Sequence, residues 1–115
     1  MNTAWHKIRA GARPLKEGLP AEAFAIVGNR ADPETWKLPH HTRAIFRALA
    51  GKLDVERTVD WDLMPAAVAA LSPVGYRGRR VEASPWQIVE AARHLAAHYR
   101  RAGKELPPTL LALTG

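Results

Sequence analysis

The stretch from Ser84 to Gly103, SPWQIVEAARHLAAHYRRAG, limits the possible folds most, because it specifies a helix together with both of its ends. Ser84 is a strong N-cap, Pro85 suits the first helical position, and Gln87 completes a Ser-x-x-Gln capping box. Gly103 supplies a left-handed stop, and Arg100, Arg101 and Lys104 sit at the negative end of the helix dipole. Ile88, Ala92, Leu95 and Tyr99 follow i, i+4, i+7, i+11 and form one apolar stripe. Arg93, Arg100 and Lys104 fall on another face, with Arg101 at its edge. One side is built to bury and another to display positive charge.

A chain of 115 residues that is 47% apolar and 24% charged reads as one globular domain. It has no cysteine, which excludes disulfides, thiolate metal sites and cysteine nucleophiles. No apolar run approaches the ~18 residues of a membrane-spanning helix. The first residues lack an apolar signal core, so an intracellular protein is expected.

The formal net charge of +6 is unevenly placed. Residues 1–20 carry +3 (Lys7, Arg9, Arg13 and Lys16 against Glu17). Residues 21–74 carry −1, with six basic and seven acidic side chains. Residues 75–104 carry +5, with seven basic side chains against Glu82 and Glu90. Two readings fit this polarity: an anionic partner, nucleic acid first, or plain solubility in an arginine-rich chain.

Residues 1–20 are punctuated by Gly11, Pro14, Gly18 and Pro20 and read as a basic arm, more a tether than a phosphate grip. Phe24, Ile26 and Val27 form a short apolar run suited to an extended core segment. Asp32-Pro33 predicts a turn. Trp36, Trp61 and Trp86 read as core fillers rather than base-stacking platforms. The spacing predicts a helix over 40–51 with Ile45, Phe46 and Leu49 inward and Arg43 and Arg47 outward. A further helix over 62–71 is expected, capped by Asp60 or Asp62, with Leu63, Ala67, Ala70 and Leu71 inward. Asp54, Glu56, Asp60 and Asp62 lack calcium-loop spacing and read as a solvated connector. The tail KELPPTLLALTG either folds back onto the core or docks on a partner.

Residues 73–83, PVGYRGRRVEA, form a glycine-rich basic loop that brings Arg77, Arg79 and Arg80 together beside Tyr76. Guanidinium groups on a flexible turn suit phosphate contact, and a helix N-terminus follows. The alternative is a surface turn held by Tyr76 and Val81. The GK[ST] ending of a Walker loop is absent. His40 and His41 are adjacent, and on a helix adjacent side chains diverge by about 100°, so they are not assigned to one ion. His94 and His98 have chelating i, i+4 spacing with Glu90 one turn earlier, but not the zincin order. No metal ligand and no cofactor is assigned.

Three pieces in order, AFAIVG at 23–28, DPETWKLP at 32–39 and WDLMPAAVAALSPVGYRGRRV at 61–81, followed by a helix closing in HYRRAGKELP, carry a resemblance. Together they resemble a small domain that recurs in bacteriophage and prophage proteins beside head-maturation and other structural modules. The resemblance covers roughly residues 21–108. It implies a phage-associated setting, in the bacterial cytoplasm or with the virion, and carries no catalytic signature.

The expected fold is mainly α: three helices near 40–51, 62–71 and 85–102 over a domain at 21–108, with short extended pieces around 23–27 and 79–82. A basic arm at 1–20 precedes it and an apolar tail at 109–115 follows. The expected function is non-enzymatic, a module binding an anionic partner, DNA first, through phosphate contacts from Arg77, Arg79, Arg80, Arg93, Arg100, Arg101 and Lys104. The alternative is an assembly module of a phage particle, meeting another phage protein through the apolar tail and Trp5.

Overall fold

The computed structural model describes residues 13–115. Trp5 and most of the basic arm lie outside the described residues.

Strand β1 (Phe24–Val27) is the short apolar run, and Phe24 and Ile26 bury their side chains. It pairs antiparallel with β2 (Trp36–Pro39) in the register Phe24↔Pro39, Ile26↔Lys37 and Val27↔Trp36. The connection is a set of side-chain-supported turns. Asp32 accepts from the Glu34 amide, and the fully buried Trp36 donates its indole N–H to the Asn29 carbonyl at 2.8 Å.

Helix α1 (Ile45–Leu49) is shorter than the expected 40–51. Residues 40–42 are extended because their backbone groups are used elsewhere. The His40 amide donates to Ala23, the His40 carbonyl accepts from Asp60, and Thr42 donates to Thr58. The His40 carbonyl thus serves Asp60 rather than the Ala44 amide four residues on, and that amide turns to Thr42 Oγ1 instead. Ile45 is buried, but Leu49 is exposed.

Helix α2 (Met64–Leu71) has no side-chain cap on its N-terminus. Asp60 instead supports the preceding turn, its side chain accepting from the Asp62 amide. Met64 and Val68 join Ala67, Ala70 and Leu71 inside, and Leu63 faces outward. With Pro65 placed one residue into the helix, the inward face begins at Met64.

Helix α3 (Pro85–Arg101) starts and caps as its sequence dictates: Ser84 Oγ accepts from the Gln87 amide, and Gln87 accepts from the Ser84 amide. Ile88, Ala92, Leu95 and Tyr99 are buried, and Ala91 and Ala96 widen the stripe. These small residues let β1, α2 and a fourth helix approach closely. That helix, α4 (Pro108–Thr114), starts at the second proline and folds the tail back, with Leu110 fully buried.

The described residues therefore form four α-helices and a two-stranded antiparallel sheet, more mixed than the mainly α, three-helix expectation. The sheet's second strand is WKLP, while 79–82 forms no strand. One core centres on α3, and a smaller one joins Phe24, Trp36 and Ile45. Trp61 lies at the core edge, edge-on to Tyr99, but Trp86 is 68% exposed and is no core filler. Among the described residues no helix is long and apolar enough to cross a membrane.

Candidate nucleic-acid interface and histidine cluster

The loop after α2 is a built turn. Tyr76 and Arg79 exchange two backbone hydrogen bonds of 3.0 Å, leaving Arg77 and Gly78 at the tip, both at positive φ. That is the twist-matched two-residue hairpin geometry. The turn is anchored to α2 by the Val81 amide on the Ala70 carbonyl, and Gly75 donates to Ser72 Oγ. Arg77, Arg79 and Arg80 are all exposed. The Arg77 guanidinium lies 5.2 Å from the Tyr76 ring centroid, and Arg80 reaches the Leu71 carbonyl at 3.4 Å. Between the loop, α2 and β2 runs a groove of about 360 Å³, lined by Leu38, Ala66, Ala67, Ala70 and Val81 with Lys37, Arg79 and Arg80 beside them.

The basic residues of α3 are placed differently. Arg93 pairs with Glu90 at 2.7 Å and Arg101 with Glu56 at 2.9 Å. The helix ends at Arg101 and Gly103 (φ 69°) turns the chain, so Lys104 does not extend the helical face. Its ammonium sits 4.7 Å from the Trp61 ring centroid. Arg100 is exposed. The seven residues expected to meet phosphate thus divide into three that share one turn, one exposed helical arginine, and three already engaged within the protein.

The structure also gathers side chains that sequence spacing separated. His40 and His41 leave the end of β2, His94 and His98 lie one turn apart on α3, and one ring nitrogen from each falls within 4.8 Å of all the others. The adjacent pair is not helical, so the divergence expected of neighbours on a helix does not apply. Their ring centroids are 4.5 Å apart.

Three of the rings have their outer nitrogen tied down. His40 Nδ1 donates to the Leu38 carbonyl at 3.1 Å. His41 Nδ1 donates to Thr58 Oγ1 at 2.8 Å, and that hydroxyl spends its proton on the Val55 carbonyl. His98 Nδ1 lies 2.9 Å from Glu56 Oε1, and Arg101 holds the other carboxylate oxygen. Each acceptor holds a proton outward on Nδ1, which in the neutral ring leaves Nε2 bare. The Leu38 carbonyl is aimed by a left-handed backbone (φ 65°), a conformation a branched side chain adopts only under constraint. His94 Nε2 lies 3.1 Å from His40 Nε2 and 3.3 Å from His98 Nε2.

Three of the imidazoles are held toward the neutral form. Burial, then the neighbouring His41, pushes His40 down to about 2. Burial, then His98, pushes His41 down to about 4. The same two causes lower His94. Burial works to raise Glu56, but hydrogen bonds from His98 and Arg101 hold it below its ordinary value. Neutral imidazole is the form that donates a lone pair to a borderline metal ion. Four of the chain's five histidines fall in the pairs HH and HLAAH, the one signal in the sequence that pointed here.

No family model, curated protein or solved structure matches this chain.

Proposed function

We propose that the protein is a non-enzymatic, phage-associated basic module that binds DNA through phosphate contacts made by the Tyr76–Arg80 turn. The observation that carries this reading is the turn itself. Arg77 is exposed at a fixed tip and Arg79 beside it, and among the described residues neither pairs with a carboxylate. Guanidinium groups held on a pre-shaped backbone lose less freedom on meeting phosphate than groups on a floppy loop. Lys37 and Arg80 beside the groove widen the positive surface. Arg100, exposed near the far end of α3, is a separate candidate contact, whereas Arg93, Arg101 and Lys104 have partners to give up first.

Such contacts position without reading sequence, so binding is electrostatic. Replacing Arg77, Arg79 and Arg80 together by alanine weakens binding to all duplex sequences alike. It also lowers the magnitude of the log–log salt slope by roughly 0.9 for each phosphate that is no longer neutralised. A salt-titrated binding measurement reads this directly. The double substitution of the exposed Arg43 and Arg47 to alanine is the control. Equal losses from both sets, or no binding by the unaltered protein at low salt, reject DNA as the partner.

The groove favours one second reading, an assembly module docking another phage protein. Its apolar floor is flanked by the exposed Leu63 and Tyr76. The apolar tail is less available for that role, because Leu110 is buried against the core.

A further inference from the structure

We propose that His40, His41, His94 and His98 bind a single divalent transition-metal ion of the zinc class, and that this ion fastens the segment following β2 to helix α3. Two independent geometric observations carry the inference.

The first is spacing. An ion with Zn–N bonds of about 2.0–2.1 Å in a tetrahedron sets its ligand nitrogens roughly 3.3–3.4 Å apart. The Nε2 atoms of His94 and His40 are 3.1 Å apart, and those of His94 and His98 are 3.3 Å apart. The whole donor set spans no more than 4.8 Å.

The second is the direction of the lone pairs. Leu38, Thr58 and Glu56 take the outer N–H of three rings, so the Nε2 atoms of His40 and His98 both turn inward to His94. A single proton on His94 Nε2 serves only one of them fully. One cation placed among the four nitrogens satisfies every lone pair at once. The outer acceptors are also the partners that metal-bound histidines require, and Arg101 in turn steadies the Glu56 carboxylate.

The donor set selects the ion. Four imidazoles with no direct oxygen ligand suit zinc, cobalt, nickel or copper and not calcium or magnesium. Zinc has no geometric preference of its own and accepts the tetrahedron the protein offers. Four protein ligands leave no open position, so the site is structural and its binding energy adds to folding energy. The ligands are supplied by residues separated by more than 50 positions in the chain, from His41 to His94, so the ion clamps two remote segments.

The test uses the whole chain, stripped with a chelator and titrated with Co²⁺. The expected result is one equivalent bound, with the strong visible absorption of four-coordinate cobalt, bleached by one equivalent of Zn²⁺ and accompanied by a rise in melting temperature. His94 is the exposed ligand, so His94→Ala should fold unaided, as far-ultraviolet dichroism will report, and lose at least tenfold in affinity with a changed cobalt spectrum. Glu56→Gln keeps the stoichiometry and loses 10–100-fold in affinity, as expected for an outer partner. His6→Ala, which removes the fifth histidine, leaves both unchanged. Absence of stoichiometric binding, or binding by His94→Ala as tight as that of the unaltered chain, overturns the proposal.

Discussion

Gly75 occupies a position that only glycine can fill. Its φ is 76°, and a Cβ there would fall 2.2 Å from the Arg79 carbonyl carbon and 2.3 Å from the Arg80 amide nitrogen. Backbone cannot yield as a side-chain tip can. Gly75→Ala is therefore expected to cost more than about 1 kcal/mol and to open the Tyr76–Arg79 turn. Thermal melting checks the cost, and the salt-titrated DNA measurement checks whether the arginine tip depends on the turn. Gly78, also at positive φ, has open space around its Cβ position, so Gly78→Ala meets only the backbone preference and serves as the milder comparison. The histidines make a related point. Adjacent residues diverge on a helix, but Leu38 at positive φ and the hydrogen bonds of residues 40–42 take this pair out of one.

At the level of the element, α3 is the part of the molecule whose sequence is sufficient to place it. Both hydrogen bonds of its capping box are made, at 3.2 Å and 3.0 Å. Ser84→Ala removes one acceptor from an amide that has no intrahelical partner and is expected to destabilise by about 1 kcal/mol. A lower denaturant midpoint with an unchanged m-value is the signature, since the loss is local and exposes no new surface. The shorter elements are less legible. Local spacing starts α1 near residue 40 rather than at Ile45, because Pro39 resembles a helix start, whereas it closes β2. In α2 the spacing points Leu63 inward where Met64 is the buried residue, since an alanine-rich helix carries little amphipathic contrast to mark its core side. WKLP alternates, Trp36 and Leu38 reading inward and Lys37 outward, but four residues give too short a period to mark a strand.

For the whole molecule, the decisive residue is Leu95. It is fully buried where β1, α2 and α4 meet α3. Leu95→Ala leaves a cavity in the middle of that junction and is expected to cost about 2–5 kcal/mol, read as a loss of melting temperature. A cost near the lower end would mean that the surrounding alanines close the gap, since small neighbours move more readily than large ones. The same long helix serves two ends at once: its apolar stripe holds the core, and His94 and His98 on its flank meet the chain that leaves the sheet.

What depends on near neighbours is written in the chain directly. Its residues mark α3 from cap to stop, the buried stripe Ile88–Ala92–Leu95–Tyr99, the Asp32-Pro33 turn and the arginine loop, because caps, turns and helical periodicity act over about four residues. Which remote groups meet is settled by folding alone. Folding pairs FAIV with WKLP, returns the tail to the core through Leu110, leaves Trp86 in solvent, and pairs Arg101 with Glu56. It also brings His40 to within 3.1 Å of His94, a separation of 54 residues that no local pattern encodes. Such meetings follow from how whole elements pack, and packing is a property of the assembled surfaces rather than of any one stretch of chain.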